Sequence, residues 1–201
     1  MRAYKAKDEN IYRTLKDGRY EQMIFRNMEL REREIRKLKE FQEWLASKNL
    51  SMPKGFEDGV ELVRVLSNRQ FKFQEVYDAI HKFDKDHRER LLPILRDYEK
   101  YLPLLETGFF YAYGRDKAMR PIIYFDVRKY VDSGASIDEM LTVQDIVQTY
   151  VVHHAMVPGQ IENYHTIVDA SNVGYTEIPY TSLARITNHM RDGYFATCFT
   201  L

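Results

Sequence analysis

The sequence predicts an α/β fold: an N-terminal helical subdomain, then a mixed β-sheet with helices on one face, in β-β-α-β-α order. Three observations predict it. The stretch Gly108–Tyr130 (GFFYAYGRDKAMRPIIYFDVRKY) holds two runs of β-branched and aromatic residues, 109–113 and 121–127, joined by a polar loop that opens on Gly114. Upstream, apolar residues recur at three- and four-residue steps, the period of amphipathic helices. Downstream, a helical pattern separates the second run from a third, 164–170, which suits a crossover onto a parallel strand.

The chain divides into a polar lead-in over 1–20, a helical subdomain over 21–106 and an α/β domain over 107–201. Within the second part, Ile24, Met28, Ile35, Leu38, Phe41 and Leu45 predict one helix over 21–47. Its pairs Glu29/Arg33 and Glu32/Arg36 have i,i+4 spacing, and their plain reading is a solvated face. Pro53, Gly55 and Gly59 make 51–59 a loop. Leu62, Val63 and Leu66 mark a short helix to Asn68, and Phe73, Val76, Tyr77, Ile80 and Phe83 another over 73–88. Pro93 and Pro103 bracket a third, 94–102.

The two central runs read as an antiparallel hairpin, because a short glycine-containing link favours one. By the period of two, Phe110, Ala112, Ile123 and Phe125 share one face, and Tyr111, Tyr113, Ile122 and Tyr124 the other. Asp132-Ser133-Gly134 makes a turn. Ser136-Ile137-Asp138-Glu139 has the form of a capping box opening a helix that runs to about Met156. Pro158-Gly159 ends that helix. Leu183, Ile186 and Met190 mark a last helix, and 194–201 the start of a fourth strand.

Composition excludes several functions. The chain has 201 residues with thirty basic and thirty acidic side chains, so it has no general attraction for nucleic acid. A single cysteine, Cys198, rules out a disulfide framework and a thiolate metal site, and points to a reducing compartment. The N-terminus has no apolar signal-peptide core, and no apolar run reaches the ~20 residues of a membrane span. These features predict a cytoplasmic protein. No phosphate-cradling glycine loop and no paired-histidine metal motif is present, so no cofactor is expected. His153 and His154 are adjacent, so on one helix they point in different directions. Cys198 with His189, or a histidine with Asp169, could be drawn as a hydrolase pair, but no spacing supports it. Fifteen tyrosines suit either a core edge or a pocket for an amphipathic ligand.

The segment Gly114-Arg115-Asp116-Lys117-Ala118-Met119-Arg120-Pro121-Ile122-Ile123 resembles the G-x-D-K-x-G-R-P-V signature of CRAL-TRIO lipid-binding domains. Residues 61–71 (ELVRVLSNRQF) resemble that family's L-L-R-F-L-R-A-R-K-F segment, and 159–174 (GQIENYHTIVDASNVG) its I-x-D-x-x-x-x-G strand. Met119 stands where the family usually has glycine, and Ser67-Asn68 where it has Arg-Ala. The family continues beyond the point where this chain stops, so a C-terminally incomplete domain is expected. The resemblance implies a non-enzymatic lipid-binding or lipid-transfer module, transiently visiting membranes, with a phospholipid, sterol or isoprenoid on the sheet floor. It places Phe110, Ala112, Ile123, Phe125, Tyr164, Thr166 and Val168 against the lipid, and Arg69 at a phosphatidylinositol headgroup. The alternative is a protein-interaction module using the helical half and an exposed sheet edge.

Overall fold

The computed structural model describes residues 5–14, 16, 20–54, 56, 59–174, 176–177, 180–193 and 198–200. The chain opens with a helical turn, α1 (Asp8–Ile11), and a small antiparallel pair, β1 (Tyr12–Thr14) and β2 (Tyr20–Gln22). The helices α2 (Glu32–Ser47), α3 (Gly59–Asn68) and α4 (Phe73–Asp86) follow. A π-helical turn, His87–Leu91, extends α4 into α5 (Leu92–Arg96), and a 3-10 turn, Tyr98–Tyr101, leads to α6 (Leu102–Glu106). The remainder is β3 (Phe110–Arg115), β4 (Pro121–Asp126), α7 (Val127–Ser133), α8 (Ile137–Tyr150) with a π-helical turn Val151–Ala155, β5 (Asn163–Asp169), α9 (Tyr180–Gly193) and β6 (Cys198–Thr200).

The sheet order is β3-β4-β5-β6, antiparallel at β3–β4 and parallel at β4–β5 and β5–β6. The mixed α/β architecture predicted from the sequence is the one observed. Phe110 lies opposite Phe125, and Ala112 opposite Ile123, while Thr166 lies beside Ile123 and Val168 beside Phe125. The seven residues from Phe110 to Val168 that the resemblance singled out therefore share one face.

That face is largely covered. Met140, Val143 and Val147 of α8, with Val127 and Tyr130 of α7, close over Phe110, Ile123, Phe125 and Tyr164 to form the main core. The opposite face carries Tyr111 stacked on Tyr124 at 5.3 Å between ring centroids, and exposed Tyr113 and Ile167. A second core, Phe41, Leu45, Leu62, Val65, Leu66, Val76 and Ile80, joins α2, α3 and α4.

Several local expectations need correcting. The predicted helix over 21–47 begins only at Glu32, and Ile35 sits 54% exposed rather than in its buried stripe. Met23, Ile24 and Phe25 are buried, but in an extended strap, and Asn27 takes φ 59, a left-handed conformation that interrupts a helix. Residues 127–133, read as a strand end and turn, form α7, whose N-terminus is capped by the Asp126 carboxylate accepting from the Lys129 amide. The capping box at Ser136 and Glu139 is present in both directions.

A buried ion pair ties the strap to the sheet half. The Glu162 carboxylate, just ahead of β5, accepts from the amides of Phe25 (2.8 Å), Arg26 (3.0 Å) and Gly159 (2.7 Å), and from Arg64 Nη2 (2.5 Å). The Arg64 guanidinium also lies over the Phe25 ring at 5.0 Å, and both charged side chains are almost fully buried. Gly159 is required here. Its φ is +77, and a Cβ would stand 2.6 Å from Asn27 Nδ2 and 2.9 Å from the Arg26 carbonyl oxygen.

Candidate functional site

The β3–β4 turn shows what its motif residues do. Asp116 Oδ1 accepts from the amides of Ala118 and Arg120, at 2.9 and 2.8 Å, and Oδ2 from Arg120 Nε at 2.7 Å. His165 Nε2, on β5, sits 3.0 Å from the same Oδ2. Burial opposes ionisation of Asp116, but the bonds from Arg120 and the neighbouring charges of Arg120 and His165 outweigh it and hold the carboxyl below its usual range. Arg115 donates to the carbonyls of Met119 (2.6 Å) and Ala155 (2.7 Å), linking the hairpin to the π turn after α8. The conformation at Met119 is left-handed, φ 64, so the motif's usual glycine has a physical reason and methionine is strained there. These residues build the hairpin; they do not form a reactive centre.

Two cavities flank α8. One, of about 690 Å³, lies between the edge strand β3, the C-terminal half of α8 and the segment from α5 to α6. Its walls are Leu95, Leu105, Phe110, Ala112, Ile146 and Val147. Its polar groups come from Tyr98, Tyr111, Thr149, Tyr150, His153 and His154. The other, of about 480 Å³, lies between α4, α8 and α9, and its cations are matched by carboxylates. Buried Asp145 of α8 contacts Arg90 and bonds His189 Nε2 at 2.8 Å, while Arg185 bonds Asp138 at 2.7 Å. Arg90 also holds Asp86, whose carboxyl is depressed by that hydrogen bond, and the two carboxylates hold the guanidinium firmly protonated.

The predicted lipid-facing residues therefore separate. Phe110 and Ala112 line the larger cavity. Ile123, Phe125 and Tyr164 are sealed in the core, with the Tyr164 hydroxyl accepting from Gln148 Nε2 at 2.7 Å. Thr166 is half-buried, and Val168 is 50% exposed near the end of β5. Arg69 is half-buried after the end of α3 and lines neither cavity. Sequence reasoning missed the helical walls, Leu95, Leu105, Ile146 and Val147. It also separated His153 from His154, yet both line one cavity, as the adjacent Ile146 and Val147 do; the histidines lie in a π turn, with the Met156 amide donating to the Val151 carbonyl at 3.1 Å.

The hydrolase pairings find no support. His189 is engaged by Asp145, Asp169 Oδ1 accepts from the Ser171 amide, and the Cys198 side chain lies outside the described residues. Among the described residues no cluster of three or more metal-ligating side chains occurs. No helix among them is long and apolar enough to cross a membrane.

Residues 105–200 match the model of the CRAL/TRIO domain. Over that stretch, just under half of its length, the chain is similar to CRAL/TRIO domains. The fold agrees: the crystal structure of Sfh5 superposes with a TM-score of 0.56 at 9% identity, over 83% of this chain and 69% of that one. At that identity the likeness speaks for the fold. No curated protein matches the chain by sequence. CRAL/TRIO domains bind lipids, so the site to be found in this domain is one for a hydrophobic ligand.

Proposed function

We propose that this domain is a non-enzymatic lipid carrier. The hydrocarbon part of its ligand lies in the cavity between β3, α8 and the α5–α6 segment. The observation that carries this reading is the cavity itself: about 690 Å³, apolar along its walls, and on the sheet face that the family resemblance assigns to lipid. Ligand pockets commonly measure ~300–1,000 Å³. Each methylene moved from water into such a space gains ~0.8 kcal/mol, so about twelve gain ~10 kcal/mol gross, comparable to the ~4–15 kcal/mol cost of association. Apolar wall therefore roughly offsets the cost of association, and the net affinity has to come from further contacts at the polar end. Within this reading Phe110 and Ala112 touch the ligand directly. A route past Thr166 and Val168 continues the same face, and a transient membrane visit delivers the cargo. Arg69 lines neither of the two cavities, so an inositol phosphate headgroup held there would lie apart from the proposed tail site.

The test is to purify the protein from cells and extract it for mass spectrometry. Lipid near one equivalent is expected. Protein free of lipid that also fails to take up lipid from vesicles would end the reading. A second reading, association through the open sheet face, is favoured by Tyr113 at 73% exposure beside exposed Tyr111 and Ile167. A defined, lipid-free oligomer in sedimentation would support it.

A further inference from the structure

From the polar end of the larger cavity we infer the chemical class of its ligand: a single-tailed lipid with an acidic head, its carboxylate or comparable anion received by His153 and His154. This inference rests on the lipid-carrier reading above.

Three observations converge. The first is charge. Among the described residues no Asp, Glu, Lys or Arg lines the cavity; its ionisable groups there are the phenols of Tyr98, Tyr111 and Tyr150 and the imidazoles of His153 and His154. With no carboxylate in the lining, a cationic head has no counter-ion there. An anionic head meets two imidazoles, each able to donate a hydrogen bond and, once protonated, to carry positive charge. Arg115 adds a fixed cation beside the same turn, donating to the Ala155 carbonyl at 2.7 Å.

The second is geometry. The adjacent pairs Ile146/Val147 and Thr149/Tyr150 of the regular helix line the cavity, and so do His153 and His154, which lie in the π turn Val151–Ala155. Such turns recur at functional sites. The Tyr150 and His154 rings lie 5.0 Å apart, and Thr149 adds a hydroxyl to the lining. The polar groups come largely from this one stretch of chain, and the apolar ones from β3, α5, α6 and the body of α8. The cavity thus has a head end and a tail end.

The third is size. At about 30 Å³ for each water-sized group, the cavity of about 690 Å³ seats on the order of 20 such groups. That is room for one long acyl or isoprenoid chain with its head.

The experiment uses the whole chain with two probes, a fluorescent eighteen-carbon polyene carboxylic acid and its methyl ester, titrated between pH 6 and 8. The acid is ionised throughout this range, whereas histidine ordinarily titrates within it. The acid is expected to bind about tenfold more tightly at pH 6 than at pH 8, and the ester equally at both. In His153→Gln/His154→Gln the acid should lose its pH dependence while the ester binds as before. If acid and ester bind alike at every pH, or the double variant keeps the acid's pH dependence, the acidic-head inference fails and the carrier reading stands. If neither probe, nor any vesicle lipid, binds to folded protein, both fail.

Discussion

Truncating Glu162 to alanine should be the most damaging single change in the chain outside its large hydrophobic residues. It removes the acceptor for Arg64 Nη2 and for the amides of Phe25, Arg26 and Gly159 together. The guanidinium left behind is 2% exposed, and its remaining carboxylate neighbour, Glu61, lies 3.5 Å from its Nε. Breaking a buried pair by deleting one partner costs ~3–5 kcal/mol, mostly the desolvation of the stranded charge. The Arg26 and Gly159 amides are only part-buried and can turn to water, so the total should stay within that range. Against a typical total of ~5–15 kcal/mol, this is roughly a fifth or more of the stability. Equilibrium urea denaturation of the wild type, Glu162→Ala, and Glu162→Gln with Arg64→Met would measure it. The double variant, which has no buried charge and keeps a side-chain acceptor, should recover about 2 kcal/mol of the loss. A loss under ~1 kcal/mol in Glu162→Ala would show that the strap is not held by this carboxylate and refute the reasoning.

Met119→Gly should stabilise the protein. A left-handed L-residue costs ~1–2 kcal/mol and glycine's extra unfolded freedom returns ~0.5–1, so a net gain of ~0.5–1 kcal/mol and a Tm rise of about 2 °C are expected in calorimetry. A lower Tm would mean that the turn is unstrained. Gly159→Ala should cost ~2–4 kcal/mol in the same assay, because its Cβ would strike Asn27 and the Arg26 carbonyl at a positive φ. Ala112→Trp should fill the larger cavity, cutting bound lipid at least about tenfold with an unchanged circular dichroism spectrum; undiminished lipid would move the site elsewhere. Acid sensitivity has a defined sign. Asp116 and Asp86 have carboxyls lowered in the folded state, so the stability they give is full above the unfolded value of ~3.9 and is lost as pH falls through their folded values. Asp116→Asn should flatten the acid limb of stability against pH between about 2 and 5; an unchanged limb would show that this carboxylate contributes nothing.

Local chemistry with a fixed offset was readable from the sequence. The hairpin around Gly114 and Pro121, the Ser136–Glu139 box and the parallel placement of 163–169 each rest on near neighbours or on a period of two. Where distant contacts decide the conformation, the reading slipped. Ile24 and Met28 keep helical spacing with Ile35, yet the strap carrying the first two is held extended by a carboxylate at position 162. Parity correctly grouped the seven residues on one face, but it cannot say which part of a face a helix will cover. Phe110, Ile123, Phe125 and Tyr164 went under the helices, Phe110 reaching the cavity only at its edge, while Ala112 stayed exposed beside it. The histidine pair was missed because adjacent helical residues were read as pointing apart, whereas the cavity spans an arc of the helix that takes in neighbours.

The bond from Phe25 to Glu162 spans 137 positions. A ribosome adding about 5–20 residues per second needs roughly 7–27 s to cover that distance. For that interval the greasy tripeptide Met23-Ile24-Phe25 has emerged without its anchor, waiting for a segment not yet made. A late step of assembly in this chain is thus the seating of one of its first segments, and a chaperone acting during translation would meet that segment exposed for this interval.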